Sequence, residues 1–382
     1  MCCFIFDFFP DGLHGFFCLF RKISVYLYAF EAHGNCIFVV YVMDKIRFGV
    51  VGTNFITDWV IAGAKLDDRF LLTAVCSRTQ ERADAFAAKY AIPYTFTSLE
   101  EMAGSSVVDA IYIASPNFLH AEQSLVCMKH GKHVLCEKPF ASNYAEALRM
   151  VEASEQYDVV LMEAMKPTLT PNFLSVLRNL HRVGKVRRYF SSYCQYSSRY
   201  DKFKEGVLVN AFNPSYSNGA VMDIGVYTIY PMVVLFGMPN EIIASGLLLS
   251  SGADAQGSVI CKYDEMEATV LYSKITDSFL PTEIQGENGT ITIDRINSIG
   301  KVTYTPHVKN IGGGKRSFVA PDDLTMPAVG SEYFYEVVEF MDLICSKKTD
   351  SLINSHIHSL NTMRILDEIR KQIGVHFPSD LQ

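Results

Sequence analysis

One glycine turn, set between a short apolar run and a run of helical periodicity, constrains this chain more than any other feature. Ile46-Arg47-Phe48-Gly49-Val50-Val51 reads as a buried strand, Gly52-Thr53-Asn54 as a tight turn, and Ile56, Val60, Ile61 and Ala64 follow at helical spacing. Strand, turn and helix in that order form a βα unit whose helix N-terminus presents backbone N–H groups and a positive dipole end to an anion such as a pyrophosphate. The turn fits G-x-G-x-x-G only at its first position, because Asn54 and Thr57 take the places of the second and third glycines. Asn tolerates left-handed backbone angles, and Thr57 is small enough for close helix packing. Gly52, Thr53, Asn54, Phe55 and Ile56 are therefore expected to hold a dinucleotide. Alone, such a turn suits an α/β domain without a nucleotide equally well.

At 382 residues the chain is long for one core and suggests about two domains, and 49% apolar residues can fill them. A net charge of -7 argues against nucleic acid as the main partner, since phosphate binding needs a basic face. Ten cysteines without CxxC or zinc spacing suit a reducing cytoplasm and give no reason to expect a metal. Residues 1–42 lack steady periodicity, and Asp7, Asp11, Arg21, Lys22 and Glu31 break every apolar run short of a membrane span. They read as an upstream extension, with Met43 as an alternative start. No membrane partner and no secretory signal are expected.

The next strand, Leu71 to Val75, ends at Cys76-Ser77-Arg78-Thr79, where a parallel dinucleotide fold selects the ribose. A carboxylate there would bind the two hydroxyls of NAD. Ser77 and Arg78 instead suit a 2′-phosphate, so NADP is expected over NAD, with NAD still possible. A third strand, 109–114, leads into Ser115-Pro116-Asn117 and His120. A fourth, 133–136, leads into Glu137-Lys138-Pro139 on the same sheet edge. Ligands bind at those carboxyl ends, which marks Ser115, Asn117, His120, Glu137 and Lys138 as cofactor contacts. For His120 taken alone, a structural role fits better.

With these motifs in place, the chain resembles the Gfo/Idh/MocA family of NAD(P)-dependent oxidoreductases over about residues 45 to 375. The residues carrying the likeness are the glycine turn, Ser115-Pro116-Asn117 with His120, Gly131 to Pro139, and Asp223-Ile224-Gly225-Val226-Tyr227. The resemblance implies an α/β protein: a Rossmann doubly wound parallel sheet over 43–165, then an α/β domain over 166–382 with a large, mostly antiparallel sheet. It implies hydride transfer between the nicotinamide and a sugar, polyol or dihydrodiol-like alcohol or carbonyl. Tyr at 227, where many members have His, is similar to the branch of dimeric dihydrodiol dehydrogenase and NADP-linked xylose dehydrogenase, and it weighs against inositol as substrate. A homodimer or larger homo-oligomer through the C-terminal sheet is expected. A regulator that binds a nucleotide without turnover, and an NAD-dependent glycoside hydrolase, are the alternatives on the same fold.

Periodicity places a helix at about 221–236, so Asp223 and Tyr227, four residues apart, project from one face. Tyr227 is expected to exchange a proton with the substrate oxygen, Lys138 to lower the phenol pKa, and Asp223 to orient them. An ammonium at about 4 Å supplies an effect of the needed size, roughly 4 kcal/mol at an effective dielectric near 20. Lys166, Arg199 and Asn213 are expected substrate contacts, and Tyr200, Asp201 and Lys204 further polar neighbours. Segments from 241 to 305 alternate as consecutive strands, with Gly289 in a hairpin turn and Gly312-Gly313-Gly314 in a loop. Helices near 331–345 and 358–373 close the chain.

Overall fold

The computed structural model describes residues 45–307 and 319–381 with their side chains, and before them only the backbone of four strands. Those strands, β1 (Phe4–Phe8), β2 (His14–Leu19), β3 (Val25–Ala32) and β4 (Asn35–Val42), pair in sequence order as an antiparallel meander. They join neither of the two sheets that follow. The expectations for the extension as a whole and for Gly312-Gly313-Gly314 fall outside the residues described in full.

The first large sheet is parallel throughout. It comprises β5 (Ile46–Val51), β6 (Phe70–Cys76), β7 (Tyr94–Phe96), β8 (Ala110–Ile113), β9 (His133–Glu137) and β10 (Leu161–Ala164), in spatial order β10-β9-β8-β5-β6-β7. The order reverses next to β5, so the crevice at the carboxyl ends of β5 and β8 is the switch point where ligands of such sheets sit. The crossovers run through α1 (Phe55–Ala64), α2 (Gln80–Tyr90), α3 (Leu99–Gly104), α4 (His120–Lys129) and α5 (Tyr144–Tyr157). Their starts are written locally: Asn54, Thr79, Ser98 and Asn143 each accept a backbone N–H at a helix N-cap.

After α6 (Pro171–Asn179), β11 (Val186–Cys194), the short α7 (Tyr200–Lys204) and α8 (Val226–Phe236), the chain builds a second sheet. Its further strands are β12 (Glu241–Leu248), β13 (Asp254–Lys262), β14 (Glu267–Ser273), β15 (Thr282–Gly286), β16 (Gly289–Ile293), β17 (Val302–Pro306) and β18 (Asp322–Asp323). The order is β12-β13-β14-β11-β15-β16-β17-β18, antiparallel except for β11 with β14. Gly289 opens β16 instead of lying in the turn, which is Glu287-Asn288. Helix α8 packs on β11 and β14, and α10 (His356–Ile373) packs on α8 and β12. Ile243, Leu247 and Ile260 lie exposed on β12 and β13.

Helix α9 (Tyr333–Ser346) returns from this second region to the first sheet. It buries Val337, Phe340, Met341 and Leu343 in one cluster with Phe48, Val60, Ile61 and Ala64. Each such side chain contributes about 1.5 to 3 kcal/mol. The approach to α1 needs a glycine, since a Cβ at Gly63 would lie 2.8 Å from the Phe334 nitrogen. A helix from the far end of the chain thus completes the layer of helices on the first sheet.

Candidate active site

Between the carboxyl edge of the parallel sheet and the second sheet lies a cleft of about 1250 Å³. Typical pockets for one drug-sized molecule hold about 300 to 1,000 Å³. This one has room for a dinucleotide end and a small substrate together.

Gly52 makes the turn at φ 100°, and a Cβ there would stand 2.6 Å from the Ala114 carbonyl oxygen. Thr57 is buried and donates its hydroxyl to the Gly52 carbonyl at 3.0 Å, which seats α1 close to the sheet. Asn54 is extended, at φ -96°, so left-handed tolerance is not what places it there. Its amide instead donates to the Ala114 carbonyl at 2.9 Å while its Oδ1 caps the Ile56 N–H at 2.9 Å, tying the turn to the end of β8. Asn54, Phe55 and Ile56 line the cleft; Gly52 and Thr53 form the turn behind them. Ser77 and exposed Arg78 stand at the end of β6, away from the cleft lining, and Arg78 has no ion-pair partner among the described residues.

Ser115, Asn117, His120, Glu137 and Lys138 all reach the cleft. Asn117 donates its amide to the Ser217 carbonyl at 2.9 Å, joining the two halves of the molecule. His120 is buried, with Nδ1 2.9 Å from the Pro139 carbonyl and Nε2 2.9 Å from that of Ser115. It braces the two loops that carry Asn117 and Lys138. Glu137 turns back into the sheet and accepts the Tyr112 hydroxyl at 2.6 Å, and burial raises its pKa.

Lys138 leaves the end of β9 through a cis bond to Pro139. Its Nζ donates to the Asp223 carbonyl at 2.9 Å and to Asp223 Oδ1 at 3.0 Å. Asp223 lies not on a regular α-helix but in a π-helical segment, Val221–Gly225, whose first N–H is accepted by buried Asp254 at 2.7 Å. The added residue of that segment turns Asp223 and Tyr227 together into the cleft. In α8, Pro231 withdraws the N–H that the Tyr227 carbonyl would otherwise accept.

Lys138 Nζ sits over the Tyr227 ring, 4.8 Å from its centroid. Lys138 is expected to lower the phenol pKa, and the surroundings of Tyr227 act in the opposite direction. Burial first, and then Glu137, Tyr193 and Asp223, push the Tyr227 pKa well above its ordinary value, while the ammonium is taken up by Asp223. Tyr227 keeps its proton. Burial would likewise raise Asp223, but Lys274 and then Lys138 outweigh it and hold the carboxyl far below the usual range.

Of the expected substrate contacts, Lys166 and Arg199 line the cleft, with Lys166 paired to the Glu332 carboxylate and 4.8 Å from the Tyr333 ring centroid. Asn213 does not reach the lining; its Oδ1 accepts the Ser215 N–H at 3.0 Å and starts the turn Pro214–Tyr216. Nor do Tyr200, Asp201 and Lys204, which stay on the exposed α7. Sequence reasoning missed Tyr193, Lys274, Arg295 and Glu332. Lys274 is 3% exposed and meets Asp223 Oδ2 at 2.5 Å. Its one sequence signal was a lysine directly after the apolar alternation of β14. Tyr193 meets Tyr227 edge to face at 5.7 Å.

Among the described residues no group of three metal-ligating side chains gathers, and no helix is long and apolar enough to cross a membrane.

The profile of the GFO/IDH/MocA oxidoreductase family, NAD-binding Rossmann fold, matches residues 46–165, and that of the GFO/IDH/MocA C-terminal domain matches 179–292. The chain is 50% identical over 335 residues to scyllo-inositol 2-dehydrogenase (NADP(+)) IolU of Bacillus subtilis, covering 88% of this chain and 99% of that protein. It is 29% identical to trans-1,2-dihydrobenzene-1,2-diol dehydrogenase of Danio rerio, covering 88% and 99%. The crystal structure of KijD10, a 3-ketoreductase from Actinomadura kijaniata in complex with TDP-benzene and NADP, superposes with a TM-score of 0.72 at 20% identity, over 86% of this chain and 98% of that one.

Proposed function

The chain belongs to the Gfo/Idh/MocA family of NAD(P)-dependent oxidoreductases, and from that premise we propose that it interconverts a secondary alcohol of a cyclic polyol and its ketone with NADP. The observation that carries the reading is the meeting of Lys138, Asp223 and Tyr227 in one cleft, at the switch point of a parallel sheet. The likeness to an inositol dehydrogenase at 50% identity outweighs the expectation, drawn from Tyr at 227, that inositol is disfavoured. The more distant likeness to dihydrodiol dehydrogenase supports the same chemistry, a ring-borne secondary alcohol beside a second oxygen.

The residues present fit a phosphorylated dinucleotide. The N-terminal end of α1 opens on the cleft, and the end of β6 carries Ser77 and exposed Arg78 where a carboxylate would select NAD. When bound, the nicotinamide supplies or accepts the hydride. Tyr227 Oη, which keeps its proton, donates it to the carbonyl oxygen in reduction and takes it back in oxidation. Lys138 Nζ has three protons, and Asp223 accepts two of these bonds, leaving one to hold the substrate oxygen beside Tyr227. Asp223 stays ionised and fixes that ammonium.

The free cysteines Cys76, Cys127, Cys136, Cys194, Cys261 and Cys345 support a cytoplasmic setting. Cross-strand neighbours Ile243 and Ile260, exposed on the second sheet, support pairing with a second copy. Absorbance at 340 nm with NADP and a panel of scyllo-inositol, xylose and a trans-dihydrodiol tests the reading. NADPH should form fastest with the inositol. Equal inactivity across the panel, with NADPH still binding, would favour the regulator on this fold instead.

A further inference from the structure

We propose that Lys274 is a positioning residue of the reaction, which turns the Asp223 carboxylate and fixes it as the anchor of Lys138. The inference rests on the oxidoreductase reading above and concerns how its proton-handling group is held.

Three elements distant in sequence supply the cluster. Lys138 comes from the end of β9, Asp223 from the π-helical segment, and Lys274 from the residue after β14. The two carboxylate oxygens are divided between the lysines, Oδ1 to Lys138 at 3.0 Å and Oδ2 to Lys274 at 2.5 Å. A carboxylate shared in this way has no rotational freedom about its last bond without breaking a charge-assisted hydrogen bond. Lys274 is itself closely surrounded. It is 3% exposed, its Nζ also donates to the Ala211 carbonyl at 3.4 Å, and it lies 5.1 Å from the Phe212 ring centroid. Lys274 lines the cleft, but its ammonium gives its short charge-assisted bond to Asp223, so its proposed effect is assigned to that carboxylate.

A buried lysine is expensive to desolvate, and a single lysine would already neutralise Asp223. The second ammonium leaves the cluster with one net positive charge, placed where an oxyanion develops when a carbonyl is reduced. The charged and titratable groups around Asp223 are Lys138 and Glu137 at the end of β9, Lys274 after β14, Tyr193 on β11, Tyr227 on α8 and, beside Lys274, Asp254 on β13. Only Lys138 and Lys274 among them stabilise the Asp223 anion.

The test is kcat against pH for the wild type, Lys274→Met and Lys274→Arg on the best polyol, with NADPH affinity read by fluorescence. Lys274→Met should lower kcat by about ten- to a hundredfold, the range of one lost charge-assisted contact. It should also bring an acidic limb into the measured range, because Asp223 then protonates at higher pH and releases Lys138. NADPH affinity should stay within about twofold, since Lys274 lies in the second domain. Lys274→Arg keeps the charge and should keep the wild-type limb. A Lys274→Met profile that tracks the wild type, or a Lys274→Arg limb displaced like that of Lys274→Met, overturns the inference. Wild-type turnover in the same series reports separately on the oxidoreductase reading.

Discussion

Lys138 gives two of its hydrogen bonds to Asp223 and lies over the Tyr227 ring, so in the proposed mechanism the lysine acts by placement and the phenol keeps its proton. Replacing Tyr227 by Phe preserves the ring, its edge-to-face contact with Tyr193 and the seat for the ammonium. Tyr227→Phe should therefore lower kcat by about a hundredfold or more, the range of general acid–base catalysis, with NADPH affinity nearly unchanged. Steady-state rates and a fluorescence titration check both halves. Near-normal turnover would reduce Tyr227 to a packing residue and move the proton to Tyr193. At the other end of the cofactor, Arg78 is exposed and unpaired among the described residues, so its loss disturbs no folded contact. Arg78→Ala should weaken NADPH about ten- to a hundredfold through the lost charge-assisted bond and change NADH little. Equal losses for both nucleotides, measured by titration, would assign the effect to damage of β6 instead.

Strand β10 carries a buried acid that no expected chemistry uses. Glu163 Oε2 accepts the Ser359 hydroxyl at 2.7 Å, Oε1 has no hydrogen-bond partner among the described residues, and burial pushes the carboxyl pKa up to about 7 from 4.5. The folded state thus holds a proton that the unfolded chain releases, so stability falls as the pH rises from about 4.5 to 7 and stays lowered above it. Glu163→Gln removes that dependence and keeps an acceptor for Ser359. Relative to the wild type it should gain roughly 3 kcal/mol at pH 8 and almost nothing at pH 4, as read by urea unfolding. A difference that does not change with pH would contradict the burial account. The strands of the first sheet were legible in sequence because their signals are local, as Ile46–Val51 shows. The π-helical segment was not, because its extra residue follows from packing against β13 and β14, which no periodicity records. Lys274 and Tyr193 were missed for a related reason. Alternation shows that a strand residue is buried but not which distant element it meets.

In the whole molecule, the proposed reacting group is divided between two sheets: Lys138 from the parallel one, and Asp223, Tyr227 and Lys274 from the region around the antiparallel one. Helix α9 packs across α1 and starts at the cleft with Tyr333, so it holds the two halves in the register that closes the site. Asn117 to Ser217 adds a direct link. Such a division suits a substrate that enters between the halves, with the nucleotide lying along the first sheet and the polyol against the second. The central claim is that the carbon-bound hydrogen of a secondary alcohol passes to the nicotinamide in this cleft. It is tested most directly by incubating the protein with NADP and scyllo-inositol deuterated at its carbons, then weighing the reduced nucleotide. The account predicts NADPH one mass unit heavier than the unlabelled form, and about a hundredth as much of it or less when Tyr227 is Phe over the same interval. Unlabelled NADPH, or no NADPH from a protein that binds NADP, would contradict it.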